Sequence, residues 1–190
     1  SGYMFYGRTT DMGDGLQLGE DVGADTINMD LVKVYPQGVE TVKNRALAAT
    51  ASSTAATKDH GAIYVNTKGD RVIKETGTLA EITEATVAQD DKILYLIMDE
   101  DAWKAYVDKS LEDKLVASED DLYKWESIEN DGKPVLAEGT DLAELAKTMG
   151  IDSDELAKTV EEYNKACAEG KDAFGKENPV ALKEGGKYYV

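Results

Sequence analysis

Few residues in this sequence have the type and spacing to do chemistry unaided. Gly13-Asp14-Gly15 stands where a helix begins. Glycines there permit close approach of a ligand, and Asp14 can accept a hydrogen bond from a cofactor hydroxyl; the same three residues also make a plain turn and helix cap. The sequence holds one histidine, His60, and one cysteine, Cys167, too few for a Cys/His metal site. A Ser-His-Asp arrangement through His60 lacks the strand–turn–helix setting of a nucleophile, and His60 beside Asp59 reads as a surface residue. The acidic pairs Asp90-Asp91, Glu100-Asp101 and Asp120-Asp121 read as solvated helix ends, not as a glycosidase pair. Trp103 and Trp125 read as core anchors rather than stacking platforms. There is no P-loop and no Gly-x-Gly-x-x-Gly after a strand.

The elements that must carry these residues are strands and helices without strict β–α–β alternation, which points to an α+β fold with a small mixed sheet and several helices. A helix is expected over 15–22, closed by Gly23, and a strand over 27–35, ended by Pro36. Residues 37–60 are small and polar; they read as a flexible surface loop or as an ordered loop facing a ligand. Residues 61–66 and 71–74 pattern as a hairpin around Gly69. Thr78 and Glu81 form a capping box for a helix to about Gln89, and the apolar run 92–99 is a buried strand. Helices come next with Trp103, Tyr106, Val107 and Leu111 on one face, then over 118–125, 141–149 (capped by Thr140) and 152–168, the last two stopped by Gly150 and Gly170. The tail, 172–190, reads as loop.

The 190 residues amount to about one domain, 42% hydrophobic and 31% charged, enough to bury a core. Thirty-eight acidic against 21 basic residues give a net charge of −17. That excludes phosphate-facing nucleic-acid binding and disfavours an anionic membrane surface. No apolar run is long enough to span a bilayer. The start, Ser1-Gly2-Tyr3, reads as a cloning remnant or as a cut within a longer protein, and the compartment is left open.

Four segments, in order, resemble the fumarate reductase and succinate dehydrogenase flavoproteins, and best their bacterial soluble branch with the flavocytochrome c and urocanate reductases. Thr10-Asp11-Met12-Gly13-Asp14-Gly15 with Gly23-Ala24 is similar to that family's Thr-Gly-Asp-Gly turn and helix. Tyr35-Pro36 stands at its His-Pro. Gly61 to Asn66, then Gly69, Arg71, Glu75 and Thr78, resembles its Gly-Ala-Ile-x-Val-Asn, Gly-x-Arg-Phe and Asn-Glu run. Gly150-Ile151-Asp152, Thr159-Val160, Tyr163-Asn164, Asp172 and Phe174-Gly175 resemble its fourth block, and Tyr188-Tyr189-Val190 its returning end.

The resemblance implies a substrate-capping domain over 37–187, a remnant of the FAD-binding domain over 1–36 and a return connection at 188–190. FAD would be bound mainly by parts outside this chain. The implied reaction is hydride transfer from flavin to an activated C=C bond of an unsaturated carboxylate or enone, with the fragment inactive alone. Gly13 and Asp14 would touch the cofactor. Tyr35 replaces a substrate-binding histidine, which argues against plain fumarate. Thr54, Lys58 and Thr78 would face the substrate, with Ala55 where the family has glutamate. Leu79 stands at the proton-donating arginine, and leucine neither gives a proton nor holds a carboxylate. Tyr35, Lys58 and Arg71 are then the candidate acids, Tyr35 foremost; Lys58 also reads as a loop charge and Arg71 as a hairpin surface charge. Caps of this kind swing as rigid bodies, so hinges are expected near Pro36 and Tyr188-Tyr189, close together. The alternatives are a non-catalytic binding module and the cap of a ketosteroid-type dehydrogenase.

Overall fold

The computed structural model describes residues 3–190, so the Ser1-Gly2 start lies outside it. The chain opens with α1 (Asp14–Asp21), a hairpin of β1 (Gly38–Val42) and β2 (Arg45–Ala48), then α2 (Thr50–Lys58). β3 (Ile63–Val65), α3 (Leu79–Val87), β4 (Tyr95–Asp99) and α4 (Glu100–Glu112) follow. Then come α5 (Glu119–Tyr123), a small hairpin of β5 (Glu129–Asn130) and β6 (Lys133–Pro134), and β7 (Glu138–Gly139). α6 (Leu142–Met149), α7 (Ser153–Glu169) and β8 (Tyr188–Tyr189) complete it.

The period of two along the strands sets the architecture. The main sheet is antiparallel in the order β3-β4-β8-β7. Ile63, Val65, Tyr95, Ile97, Tyr188 and Val190 point to one face and pack on α6 and α7 through Leu145, Met149, Leu156 and Val160. The residues between them point the other way: Met98 and Tyr189 meet Ala102, Trp103, Tyr106 and Val107 of α4. Trp103 stacks on Tyr189 at 4.6 Å and on Tyr106 at 5.7 Å, anchoring that second core as expected.

Residues 37–60 are not a loop. They form the β1–β2 hairpin and α2, and Ser52, Ser53, Ala56 and Thr57 of α2 are buried. Small side chains let α2 approach α4 closely, with Ser52 and Ser110 hydroxyls 2.8 Å apart across the seam. Residues 27–35 form no strand; Ile27, Met29, Leu31 and Val32 are all exposed. A strand needs a neighbour for its N–H and C=O groups, and none lies beside this stretch. β3 pairs with β4 rather than with 71–74, which keep a single bridge, Val65 to Arg71. Helix starts are closer to expectation: the Thr78/Glu81 box caps α3, while Asp141, one residue after Thr140, caps α6. Leu111 of α4 is partly exposed, and the tail supplies β8.

Arg71 is the largest correction. It is buried, not a surface charge. Its guanidinium donates to Glu75 at 2.6 and 2.7 Å and, in a second fork, to Asp172. Its flat faces lie over the rings of Tyr163 (4.6 Å) and Phe174 (5.0 Å). Lys176, fully buried, lies 3.6 Å from Glu75 and donates to the Tyr163 hydroxyl at 3.0 Å and the Ala62 carbonyl at 3.2 Å. Two cations and two anions cancel. Beside this cluster Gly69, at φ 84°, brings the turn against α7: a Cβ there would lie 2.6 Å from the Leu156 nitrogen, so no other residue fits.

Burial alone would push the Asp172 carboxyl up, but hydrogen bonds from Arg71, Lys176 N and Phe174 N outweigh it and hold it below its ordinary value. A depressed carboxyl contributes stability that is complete above its unfolded value and is lost as pH falls through the folded one. Arg71→Leu strands two buried carboxylates and should cost about 3–5 kcal/mol in urea unfolding. The stability gap between the unaltered chain and Asp172→Asn should stay constant from neutral pH to about pH 4 and shrink below it.

Candidate functional site

The N-terminal stretch folds back over the β1–β2 hairpin, where Phe5 N donates to the Asn44 carbonyl and Ala46 N to the Phe5 carbonyl, both at 3.0 Å. Between this stretch, the hairpin and α3 lies a cleft of about 560 Å³. Its walls are aromatic and aliphatic, among them Phe5, Tyr6, Tyr35, Tyr64, Ile82 and Val87. Its charged lining residues are Lys33 and Lys92, and no carboxylate lines it among the described residues, although the chain carries −17 overall. Such a space suits an apolar ligand of moderate size.

Tyr35 is part of this wall. Its ring meets Tyr6 edge-on at 6.2 Å and Lys33 Nζ lies 4.7 Å from its centre. Leu79 is not in the lining; it sits one turn before Thr83, a lining residue whose hydroxyl bonds the Leu79 carbonyl at 2.7 Å. The cleft therefore includes Tyr35 and leaves Leu79 outside. Thr78 spends its hydroxyl on the cap, donating to Glu81 at 2.9 Å and accepting from Glu81 N at 3.3 Å. Thr54 and Lys58 lie one turn apart on the exposed side of α2, outside the cleft lining, and the Thr54 hydroxyl bonds the Thr50 carbonyl at 2.8 Å.

Gly13 and Asp14 head α1, which buries none of its residues. Gly13 takes φ 86° with open space around it, and Asp14 is exposed. The pair encloses nothing. Leu18, Val22, Ile27, Met29, Leu31 and Val32 around it are between 62% and 85% exposed, so this stretch leaves an apolar surface bare. Cys167 is half-buried, and burial pushes its thiol above the ordinary value. Among the described residues no group of His, Cys, Asp and Glu is placed to hold a metal.

Two cleft residues carry no expectation from the sequence. Tyr64 is buried, and desolvation raises its hydroxyl to about 12 against the opposing bonds of Gln37 and Ser53. Gln37 Nε2 donates to that hydroxyl at 2.6 Å. Alternation against Ile63 and Val65 could have turned Tyr64 toward this side; nothing in the sequence pairs it with Gln37. A second cleft, about 390 Å³, shares Gln37, Gly38 and Tyr64 with the first and is also lined by Val190.

Residues 4–189 match the family described as "FAD binding domain". The fumarate reductase (cytochrome) of Shewanella frigidimarina is 32% identical over the whole of this chain, which covers 29% of that protein. The urocanate reductase of Eggerthella lenta is 31% identical over 94% of this chain, covering 27% of that protein. The chain thus spans under a third of the length of these relatives. A solution structure of the fumarate reductase flavoprotein subunit from Lactobacillus plantarum is 34% identical, with a TM-score of 0.61, and the match covers 72% of this chain and 84% of that one.

The box geometry gives Thr78 a structural role that can be measured directly. Thr78→Ala should lower the unfolding free energy by about 1 kcal/mol and Thr78→Ser should restore most of it.

Proposed function

Since the chain belongs to the fumarate reductase flavoprotein family, whose members are FAD-dependent oxidoreductases, we propose that it is the substrate cap of such an enzyme, acting on an activated C=C bond in an apolar enone or enoate rather than on fumarate. The observation that carries the reading is the contrast along the chain. Residues 38–190 close two cores of their own, whereas residues 12–35 expose their apolar side chains as an element does when its partner lies elsewhere. On this reading residues 1–36 belong with the FAD-binding domain, 37–187 are the cap and 188–190 lead back.

The flavin, held mainly by the rest of the protein, would in its reduced form supply the hydride. Asp14 accepts a hydrogen bond from a cofactor hydroxyl, and Gly13 allows the approach. Aromatic walls exclude water from the cleft and strengthen polar contacts within it. Tyr35 delivers the proton to the carbon that does not receive hydride, and water later restores its hydroxyl. Thr54 and Lys58, outward on α2, face the flavin-holding part and meet substrate when the cap closes. Thr78 helps by holding the first turn of α3, which carries Leu79 at the family's arginine position. Leu79, 45% exposed, offers a carboxylate nothing, and this is why a dicarboxylate is disfavoured.

The test is steady-state kinetics of the full-length flavoprotein with a reduced dye and a panel of enones, aryl enoates and fumarate. An apolar enone or aryl enoate should exceed fumarate in kcat/KM by at least about tenfold, a gap of about 1.4 kcal/mol. Tyr35→Phe should lower kcat by about a hundredfold or more with little change in KM. Fumarate as best substrate would overturn the reading. The size and apolarity of the cleft also suit a ketosteroid-type dehydrogenase; rapid oxidation of a saturated ketone by the same enzyme with a dye acceptor, exceeding its enone reduction, would favour that.

A further inference from the structure

Gln37 comes directly after Pro36 with φ 65°, a left-handed backbone that a residue with a side chain adopts at a cost. Its carbonyl is fixed there by Ala49 N at 3.0 Å. The conformation turns the carboxamide inward, where Nε2 donates to the Tyr64 hydroxyl and Oε1 is buried without a partner. Tyr64 and Gln37 line both clefts, so the pair stands at their junction, with Ile93, Leu94 and Met4 around it. A buried polar atom left unpaired inside an apolar space is costly, and a ligand group that pairs with it recovers that cost.

We propose that Tyr64 and Gln37 are specificity-determining residues that hold an uncharged group bearing both a hydrogen-bond donor and an acceptor, in its simplest form a carboxamide, on an otherwise apolar substrate. This rests on reading the cleft as the substrate side of the cap. The pair has one bond between its members, and the Tyr64 hydroxyl is shared with Ser53; the second Gln37 N–H and the Gln37 C=O are the donor and the acceptor left over. A carboxylate satisfies only the donor and sets its charge against the buried Gln37 oxygen; a plain ketone also satisfies only the donor; a carboxamide satisfies both. Burial keeps Tyr64 protonated across the physiological range, so it acts as a neutral partner and not as the acid.

Binding to the 190-residue chain tests this without turnover. The chain closes its own cores, and a related chain of which 84% is matched has a solution structure. NMR titrations with trans-cinnamamide and trans-cinnamate compare the two head groups on one aryl frame. The amide should bind about tenfold tighter or more. Tyr64→Phe and Gln37→Leu should each narrow the gap between amide and cinnamate to near nothing and fail to add in the double variant. Tyr64→Phe keeps the buried ring and Gln37→Leu changes a half-buried side chain, so folding is retained in at least one of them. Equal or weaker binding of the amide, or a preference that survives both substitutions, overturns the inference. If the chain selects the amide while the full-length flavoprotein reduces no double bond, this inference stands and the proposed function falls.

Discussion

The Arg71 guanidinium, forked between Glu75 and Asp172, is the interaction on which the rest of the structure depends. It joins the turn after β3 to the segment after α7, 101 residues away along the chain. Removing one member would leave uncompensated charge in the interior, which is the costly event for buried ion pairs. The cluster also reaches the cleft, because Glu75 accepts the Tyr64 backbone N–H at 3.4 Å. The residue that lines both clefts is therefore positioned by the same carboxylate that clamps the guanidinium. Structure and candidate site are one network here.

The two faces of the sheet divide the work. The face toward α6 and α7 is closed by aliphatic side chains together with the rings of Tyr95, Tyr163 and Tyr188. The face toward α4 is built from aromatic residues with polar tips, Tyr64, Tyr106, Trp103 and Tyr189, and it borders open space. Aromatic side chains bring large apolar area and one hydrogen-bonding group each. A cleft made from them selects by shape and by a few neutral bonds rather than by charge. In a chain with 38 acidic residues, keeping carboxylates out of the first cleft fits a ligand that is not a cation.

Much of the fold was legible because helix ends are local. The Thr78/Glu81 and Ser118/Asp121 boxes and the left-handed Gly150 and Gly170 stops depend on residues within one turn of each other. What failed depends on distant partners. The Ala/Ser/Thr run of α2 has no apolar periodicity, and its burial comes from close approach to α4. Residues 27–35 have strand-like composition but no neighbouring strand. Arg71 resembled a turn charge because Asp172 lies far along the sequence, although Glu75 at four residues' distance was a visible hint. Within the site Tyr35 was legible through resemblance alone, and the Gln37–Tyr64 bond not at all, since it joins residues 27 apart through a left-handed backbone. Arg71, Glu75, Tyr163, Asp172 and Phe174, which carry parts of the third and fourth segments of the resemblance, converge on the ion cluster and not on the cleft.

The place of β8 has a consequence for biogenesis. It lies between β4 and β7, pairing Tyr188 and Tyr189 with Asp99 and Met98 on one side and with Gly139 and Glu138 on the other. During synthesis the ribosome makes these residues long after the strands they separate. β4 and β7 must wait with open backbone edges until β8 arrives, and an open edge is where a nascent chain meets the wrong neighbour. The small, late strand thus sets when the domain can close, and slow closure through pairings of long sequence separation is the kinetic cost of the topology.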